Sequence, residues 1–242
     1  MTGDQTMREL NDSLRWLKAG TTYFSEALGR VADEEFAEAS KLPGWTIGHL
    51  VAHLALNAEA LGNLVTWART GVETPMYASA EQRDADVAAG ATRGAGDLRE
   101  WYADSAARLG DSLAELTPDQ WQAPVRTRTG REIAATEIPW LRVREVMVHT
   151  VDLGGSTGFA DLPKGFLGAL VDDIVTYRSG LRDHPGVVLL SRNTGEAWTI
   201  PGATSVRVMA PLADLAAWLA GRETGEVKVM GPGTPPELPG WL

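Results

Sequence analysis

Cysteine is absent from all 242 residues of the chain. This absence excludes a disulfide framework, a thiolate metal ligand and a cysteine nucleophile. Any thiol chemistry must therefore take its sulfur from a small molecule, and any metal ion must be bound by histidine, aspartate or glutamate. Histidine is also scarce, since the whole chain contains four.

Positive charge is in short supply as well. Lysine and arginine together number 22 against 32 aspartates and glutamates, which gives a net charge of −10. Such a balance repels polyanions and argues against nucleic acid and anionic membranes as partners. No apolar run approaches the roughly 18 residues of a spanning helix, and the opening MTGDQTMREL lacks a signal-peptide pattern. We expect a cytoplasmic monomer.

Helical periodicity dominates residues 1–155. Four long helices are predicted at residues 6–31, 47–70, 96–116 and 136–153. Thr46 is placed to cap the second helix, and Gly71 to end it. Four long helices predict a four-helix bundle, and the connection at residues 72–95 is too long for a plain turn.

The composition changes after Gly155. One further helix is predicted at residues 163–181 and another at 211–222, among short segments rich in β-branched residues that read as strands. The predicted fold class is therefore α+β, with a helical bundle over residues 1–155 and a small α+β domain over 156–242.

Two pairs of side chains at helical spacing suggest a metal site. His49 and His53 lie four residues apart on the second helix, and Glu145 and His149 share that spacing on the last. Bundles bind metals through inward-pointing side chains on facing helices. One histidine from the second helix, together with Glu145 and His149, would supply two nitrogens and one oxygen. Three protein ligands leave a fourth position open, as in catalytic zinc sites.

A solvated helix face is the alternative interpretation of the Glu145 and His149 pair. Apolar residues on both sides argue against it, because they leave little room for an exposed stripe, and buried polar groups need partners. These flanking residues are Val143, Val146, Met147 and Val151. For His49, the better interpretation is a core histidine that is hydrogen-bonded to a backbone carbonyl.

Longer stretches surround these side chains and continue to the end of the chain: GWTIGHLVAHLALNAEALGNLVTWARTGVETPMY, PWLRVREVMVHTVDLG, AAWLAGR and PELPGWL. Together they resemble the mycothiol-dependent maleylpyruvate isomerases, members of the DinB-like superfamily of thiol-using metalloproteins. The histidine and E-x-x-x-H pattern marks only the superfamily, whereas TGVETPMY and the C-terminal domain point to the isomerases. The resemblance runs over nearly the whole chain from about TTYFSEAL onward.

The resemblance implies a DinB-like bundle that binds zinc through His53, Glu145 and His149 and uses mycothiol as a second cofactor. It also implies a functional arginine at Arg222, contributed by the C-terminal domain. The implied reaction converts maleylpyruvate to fumarylpyruvate, in the gentisate pathway of aromatic compound catabolism. A thiolate that adds to the cis double bond leaves a single bond, which rotates before the sulfur is expelled.

A dicarboxylate substrate and an enolate intermediate require fixed positive charge, which arginine supplies with two parallel donors. Arg222 is the first candidate for this clamp, and Arg83 in the long connection is the second. The alternative for either is a solvated surface arginine. Asn57 extends the His49 and His53 stripe; it could orient the bound cofactor or bond to the backbone.

Three other functions stay open from the residues alone. A mycothiol S-transferase would use the same metal and thiol but consume the thiol. A zinc hydrolase would activate water and need no thiol. A metal-binding sensor would turn over nothing.

Overall fold

The computed structural model describes residues 8–181, 184–202, 205–238 and 241. It contains two compact units, one formed by Glu9–Thr157 and the other by Arg8 together with the described residues from Gly158 onward. The α+β fold class, with a helical N-terminal part, is confirmed. The domain boundary after residue 155 stays a prediction.

The first unit is built from six helices and a short hairpin. The helices are α1 (Leu10–Leu28), α2 (Ile47–Thr70), α3 (Ala80–Gly90), α4 (Ala95–Ala114), α5 (Pro118–Trp121) and α6 (Ile138–Asp152). The hairpin pairs β1 (Pro124–Arg126) with β2 (Glu132–Ala134). The long connection between α2 and α4 thus contains a helix of its own, α3.

Helix α2 begins and ends where the sequence predicts. The Thr46 hydroxyl accepts a hydrogen bond from the His49 backbone N–H at 3.3 Å, which satisfies one of the unpaired donors of the first turn. Gly71 ends the helix in the left-handed conformation at φ 73°, which only glycine adopts without a Cβ penalty. These two signals fix the helix that carries His53.

Helix α6 lies between α1 and α2 and is almost entirely buried. Close packing of α1 on α6 depends on Gly20, because a Cβ at that position would lie 2.7 Å from Val146 Cγ2. On the other side, α2 packs against both α6 and α4. Consequently the polar residues of α6, which include Arg142 and His149, must find partners inside the bundle.

The second unit combines two helices with a four-stranded sheet. The helices are α7 (Lys164–Ser179) and α8 (Leu212–Leu219), and the strands are β3 (Gly186–Ser191), β4 (Ala197–Ile200), β5 (Ser205–Ala210) and β6 (Lys228–Val229). The strand order is β4-β3-β5-β6, in which β3 and β5 are parallel and the outer pairs are antiparallel. Helix α7 packs against α8 and β4.

None of the helices in the described ranges is long and apolar enough to cross a membrane.

Candidate metal centre

Three potential ligands converge inside the bundle. His53 Nε2 lies 3.0 Å from Glu145 Oε2, and His149 Nε2 lies 3.2 Å from the same oxygen. The imidazole rings are 5.2 Å apart between centroids and nearly perpendicular, at 87°. His53 comes from α2, whereas Glu145 and His149 are one turn apart on α6. The structure therefore brings together the three residues that the family resemblance implies as metal ligands.

A second carboxylate fixes the orientation of His149. Its Nδ1 lies 2.7 Å from Asp152 Oδ2, and both side chains are buried. Since a carboxylate accepts, the Nδ1–H of His149 donates this hydrogen bond. The lone pair of Nε2 is then directed at Glu145 Oε2, another acceptor. Two acceptors this close require either a proton or a cation between them.

Arg83 contacts the opposite imidazole. Its Nη2 lies 3.3 Å from His53 Nδ1, and its Nη1 donates to Asp84 Oδ1 at 2.7 Å. Arginine is only a donor, so Nδ1 of His53 accepts here, and its Nε2–H is left to donate to Glu145. In this arrangement Glu145 Oε2 accepts a hydrogen bond from His53, and it accepts one from His149 as well when that imidazole is protonated.

The ionisation of the three groups follows from burial and from these contacts. Burial lowers the pKa of His53 and outweighs the opposing hydrogen bond to Glu145. Burial also acts to lower the pKa of His149, but hydrogen bonds to Asp152 and Glu145 outweigh it and raise that pKa. For Glu145, burial acts to raise the pKa, yet the two imidazoles outweigh it and hold the pKa well below its ordinary value. Glu145 is therefore an anion in its resting state.

The donor set fits a divalent cation. The ligand atoms of His53, Glu145 and His149 all lie within 4.8 Å of one another. Zinc bonds of about 2.0–2.1 Å in tetrahedral geometry place neighbouring donors about 3.3 Å apart. The separations of 3.0 and 3.2 Å from Glu145 Oε2 to the two imidazole nitrogens are close to that spacing. A cation at this point would satisfy the facing lone pairs of Glu145 and His149.

Two aromatic side chains surround the cluster and were not selected from the sequence. The ring of Trp45 packs edge-on against His53, with centroids 5.3 Å apart. Tyr77 is half-buried near Arg83 and Glu145, and its burial, followed by the charge of Glu145, raises the pKa of its phenol. Tyr77 comes from the irregular part of the connection before α3, where no periodicity marks it. The sequence does indicate Asp152 as a neighbour of His149, because the two residues are three positions apart on the same helix.

Three other selected residues have different surroundings. His49 is only partly buried, and its Nδ1 lies 2.7 Å from the Thr46 hydroxyl, so the predicted carbonyl partner is wrong: the ring belongs to the helix cap. Asn57 is buried, and its Oδ1 accepts from Arg142 Nη1 at 2.8 Å. Arg222 belongs to the second unit, where its Nη1 donates to the Ala220 carbonyl at 2.6 Å. Ligand contacts of Asn57, Arg83 and Arg222 stay predictions.

Comparisons with known proteins identify the family of this chain. Residues 17–154 match the family model of the mycothiol maleylpyruvate isomerase N-terminal domain. A crystal structure of the mycothiol-dependent maleylpyruvate isomerase is 39% identical, has a TM-score of 0.92, and covers 97% of this chain and 98% of its own. A histidine-to-alanine mutant of such an isomerase is 38% identical with a TM-score of 0.91 and the same coverage. Curated proteins gave no match.

Proposed function

The chain belongs to the mycothiol-dependent maleylpyruvate isomerase family, and from this premise we propose that it isomerises maleylpyruvate to fumarylpyruvate with mycothiol as the nucleophile. We further propose that His53, Glu145 and His149 hold a zinc ion. The observation that carries the second proposal is the convergence of two imidazole nitrogens on one carboxylate oxygen, at 3.0 and 3.2 Å.

The nucleophile must come from outside, because the chain has no cysteine. A free thiol with a pKa of about 8.5 is only slightly ionised at neutral pH. Zinc, when bound, supplies the missing activation, because coordination to the metal deprotonates a thiol.

The reaction itself needs no net redox change. The thiolate adds to one carbon of the conjugated double bond, so that a C–S bond forms and the π electrons move onto the carbonyl as an enolate. The remaining C–C single bond rotates. The enolate then collapses, the C–S bond breaks, and the thiolate leaves with its electron pair. The product is the trans isomer and the thiol is regenerated.

The protein's own side chains have distinct tasks in this proposal. Asp152 keeps the Nδ1 proton on His149 and thereby directs its Nε2 toward Glu145. Arg83 places a guanidinium next to His53, with about a fifth of its side chain exposed, so that it can bind a substrate carboxylate or the enolate. Arg222 is proposed as a second carboxylate clamp, and Asn57 as a residue that orients the thiol cofactor.

Binding of zinc by Nε2 of His53 has a consequence for Arg83. His53 would hold zinc through the Nε2 lone pair, so its ring proton would lie on Nδ1. Nδ1 would then be a donor and could not accept from Arg83 Nη2. We infer that Nη2 would become available to an anionic substrate, while Nη1 still donates to Asp84.

One assay tests the proposed reaction. Purified zinc-loaded protein is mixed with maleylpyruvate, with and without catalytic mycothiol, and fumarylpyruvate is quantified by chromatography. We expect many turnovers per mycothiol and none without it. Turnover that is unchanged in the absence of thiol would indicate a hydrolase or another thiol-independent reaction and would contradict the proposal. Stoichiometric loss of mycothiol would indicate an S-transferase, and metal binding without turnover would indicate a sensor.

A further inference from the structure

A cavity of about 580 Å³ opens between α1 and α4. It exists because α1 packs mainly on α6 and α4 mainly on α2, while α1 and α4 make little contact with each other. The volume is within the range of small-molecule sites, about 300–1,000 Å³. None of the proposed zinc ligands is among the residues that line it. The cavity is therefore distinct from the metal centre.

The walls of the cavity are predominantly apolar. Four leucines from α1 and α4 and the ring of Trp121 form them, namely Leu14, Leu17, Leu109, Leu113 and Trp121. Leu109 and Leu113 continue into the bundle core, whereas the α1 leucines are only partly buried. An apolar molecule in the cavity would therefore extend the core toward the surface and lose contact with water.

The polar groups of the cavity are cationic or neutral. Lys18 is exposed and Thr21 partly buried, both on α1, and Arg142 from α6 lies on the inner side. Among the described lining residues there is no aspartate or glutamate. This local excess of positive charge is unusual in a chain with a net charge of −10, and it favours an anionic ligand.

The burial and hydrogen bonding of Arg142 indicate which ligand this cavity would bind. Its side chain is 1% exposed. Nη1 donates to the Leu54 carbonyl at 2.6 Å and to Asn57 Oδ1 at 2.8 Å. Nη2 is buried as well, but it has no hydrogen-bond acceptor within the described part of the chain. A buried guanidinium N–H without an acceptor is costly. A carboxylate in the adjoining cavity would supply one if a small shift of the cavity wall exposes Nη2 to it.

We propose that the cavity between α1 and α4 is a binding site for an amphipathic monocarboxylate. The carboxylate accepts from Arg142, and the apolar body packs against the leucines and Trp121. A carboxylate suits this position because guanidinium and carboxylate form charge-assisted hydrogen bonds, whereas an alcohol forms a weaker one and a cation is repelled. The proposal does not depend on the isomerase reaction or on zinc.

Isothermal titration calorimetry of the zinc-loaded protein tests the ligand class. The probes are decanoate, decanol and decyltrimethylammonium, which share an alkyl chain and differ in the charge of the head group, each below its micelle concentration. We expect decanoate to bind at least about tenfold more tightly than decanol, since a hydrogen bond to a charged group contributes that much or more. Decyltrimethylammonium should bind most weakly. Equal affinities, or tightest binding of the cation, would overturn the proposal.

Two glycines of α4 provide a matched pair of variants that tests the location. Gly110 lines the cavity and Gly96 does not, although both are exposed and neither has an atom within 4 Å of an added Cβ. Gly110→Phe should place its ring in the cavity and weaken decanoate binding at least about tenfold. Gly96→Phe should change it less than about twofold.

The same titrations exclude the metal centre as the site of binding. If decanoate bound zinc instead, Gly110→Phe would leave its affinity unchanged, and the proposal would be wrong. Ala114→Phe, which fills the same cavity one turn further along α4, serves as a second blocking variant. Circular dichroism of each variant checks that the fold is retained before its affinity is compared.

Discussion

The two histidines of α2 offer the sharpest test of the metal assignment. His53 Nε2 lies 3.0 Å from Glu145 Oε2, whereas His49 Nδ1 lies 2.7 Å from the Thr46 hydroxyl at the start of the helix. The two residues have the same type and helix and are separated by one turn. We predict that His53→Ala loses the bound zinc and the isomerase activity, and that His49→Ala retains both.

The expected size of the effect follows from the number of ligands. Four-ligand zinc sites bind with about 10–16 kcal/mol of apparent free energy, or about 2.5–4 kcal/mol for each ligand. At about 1.4 kcal/mol per factor of ten, the loss of His53 should raise the zinc Kd by about two to three orders of magnitude. The loss of His49 removes only a hydrogen bond at the helix cap. That change should cost about 1 kcal/mol of folding stability and leave the zinc Kd unaltered.

Zinc affinity is measured by competition with a chromophoric chelator, and zinc content by elemental analysis after dialysis. Thermal unfolding of both variants shows whether the bundle is intact, since a misfolded His53→Ala protein would also lose metal. A folded His53→Ala protein that still holds one equivalent of zinc at wild-type affinity would refute the ligand assignment. Loss of zinc from His49→Ala alone would refute it as well.

Local signals in the sequence were sufficient to predict the four long bundle helices and the pair of Glu145 and His149. Thr46 and Gly71 mark the ends of α2 through capping and left-handed geometry, which depend on neighbouring residues only. The spacing of Glu145 and His149 places both on one stripe of α6. That His53 rather than His49 faces them came from the family resemblance, because residues four apart on a helix lie on the same side.

The remaining features depend on contacts that no local pattern encodes. Tyr77 approaches Arg83 from an irregular segment, and its position is set by how the connection folds over the bundle. A backbone carbonyl is the predicted hydrogen-bond partner of His49, but its ring contacts the Thr46 hydroxyl at the helix cap instead. Helical spacing alone does not determine which of these two partners the side chain contacts. The cavity beside Arg142 arises from the low contact between α1 and α4, which is a property of the whole packing.

Three further predictions address the support of the cluster. Gly20→Leu should destabilise the fold by about 1–3 kcal/mol, because a Cβ there would lie 2.7 Å from Val146 Cγ2. The control Gly62→Leu should not destabilise the fold, because no atom lies within 4 Å of an added Cβ at that position. Chemical denaturation measures both effects. Asp152→Asn keeps the shape but removes the charge that orients His149, so zinc affinity should fall about 10–100-fold in the chelator competition; an unchanged Kd would exclude this role. In metal-free protein, burial acts to lower the pKa of His149, but the hydrogen bonds to Asp152 and Glu145 raise it above the unfolded value of about 6.5. Its stabilising contribution is therefore complete below about pH 6.5 and is lost as the pH rises through the folded pKa. The free energy of unfolding of wild type should accordingly approach that of His149→Gln as the pH is raised from 5 to about 9. If the difference between the two free energies stays constant or widens over this range, the imidazole is not held as a cation between the two carboxylates.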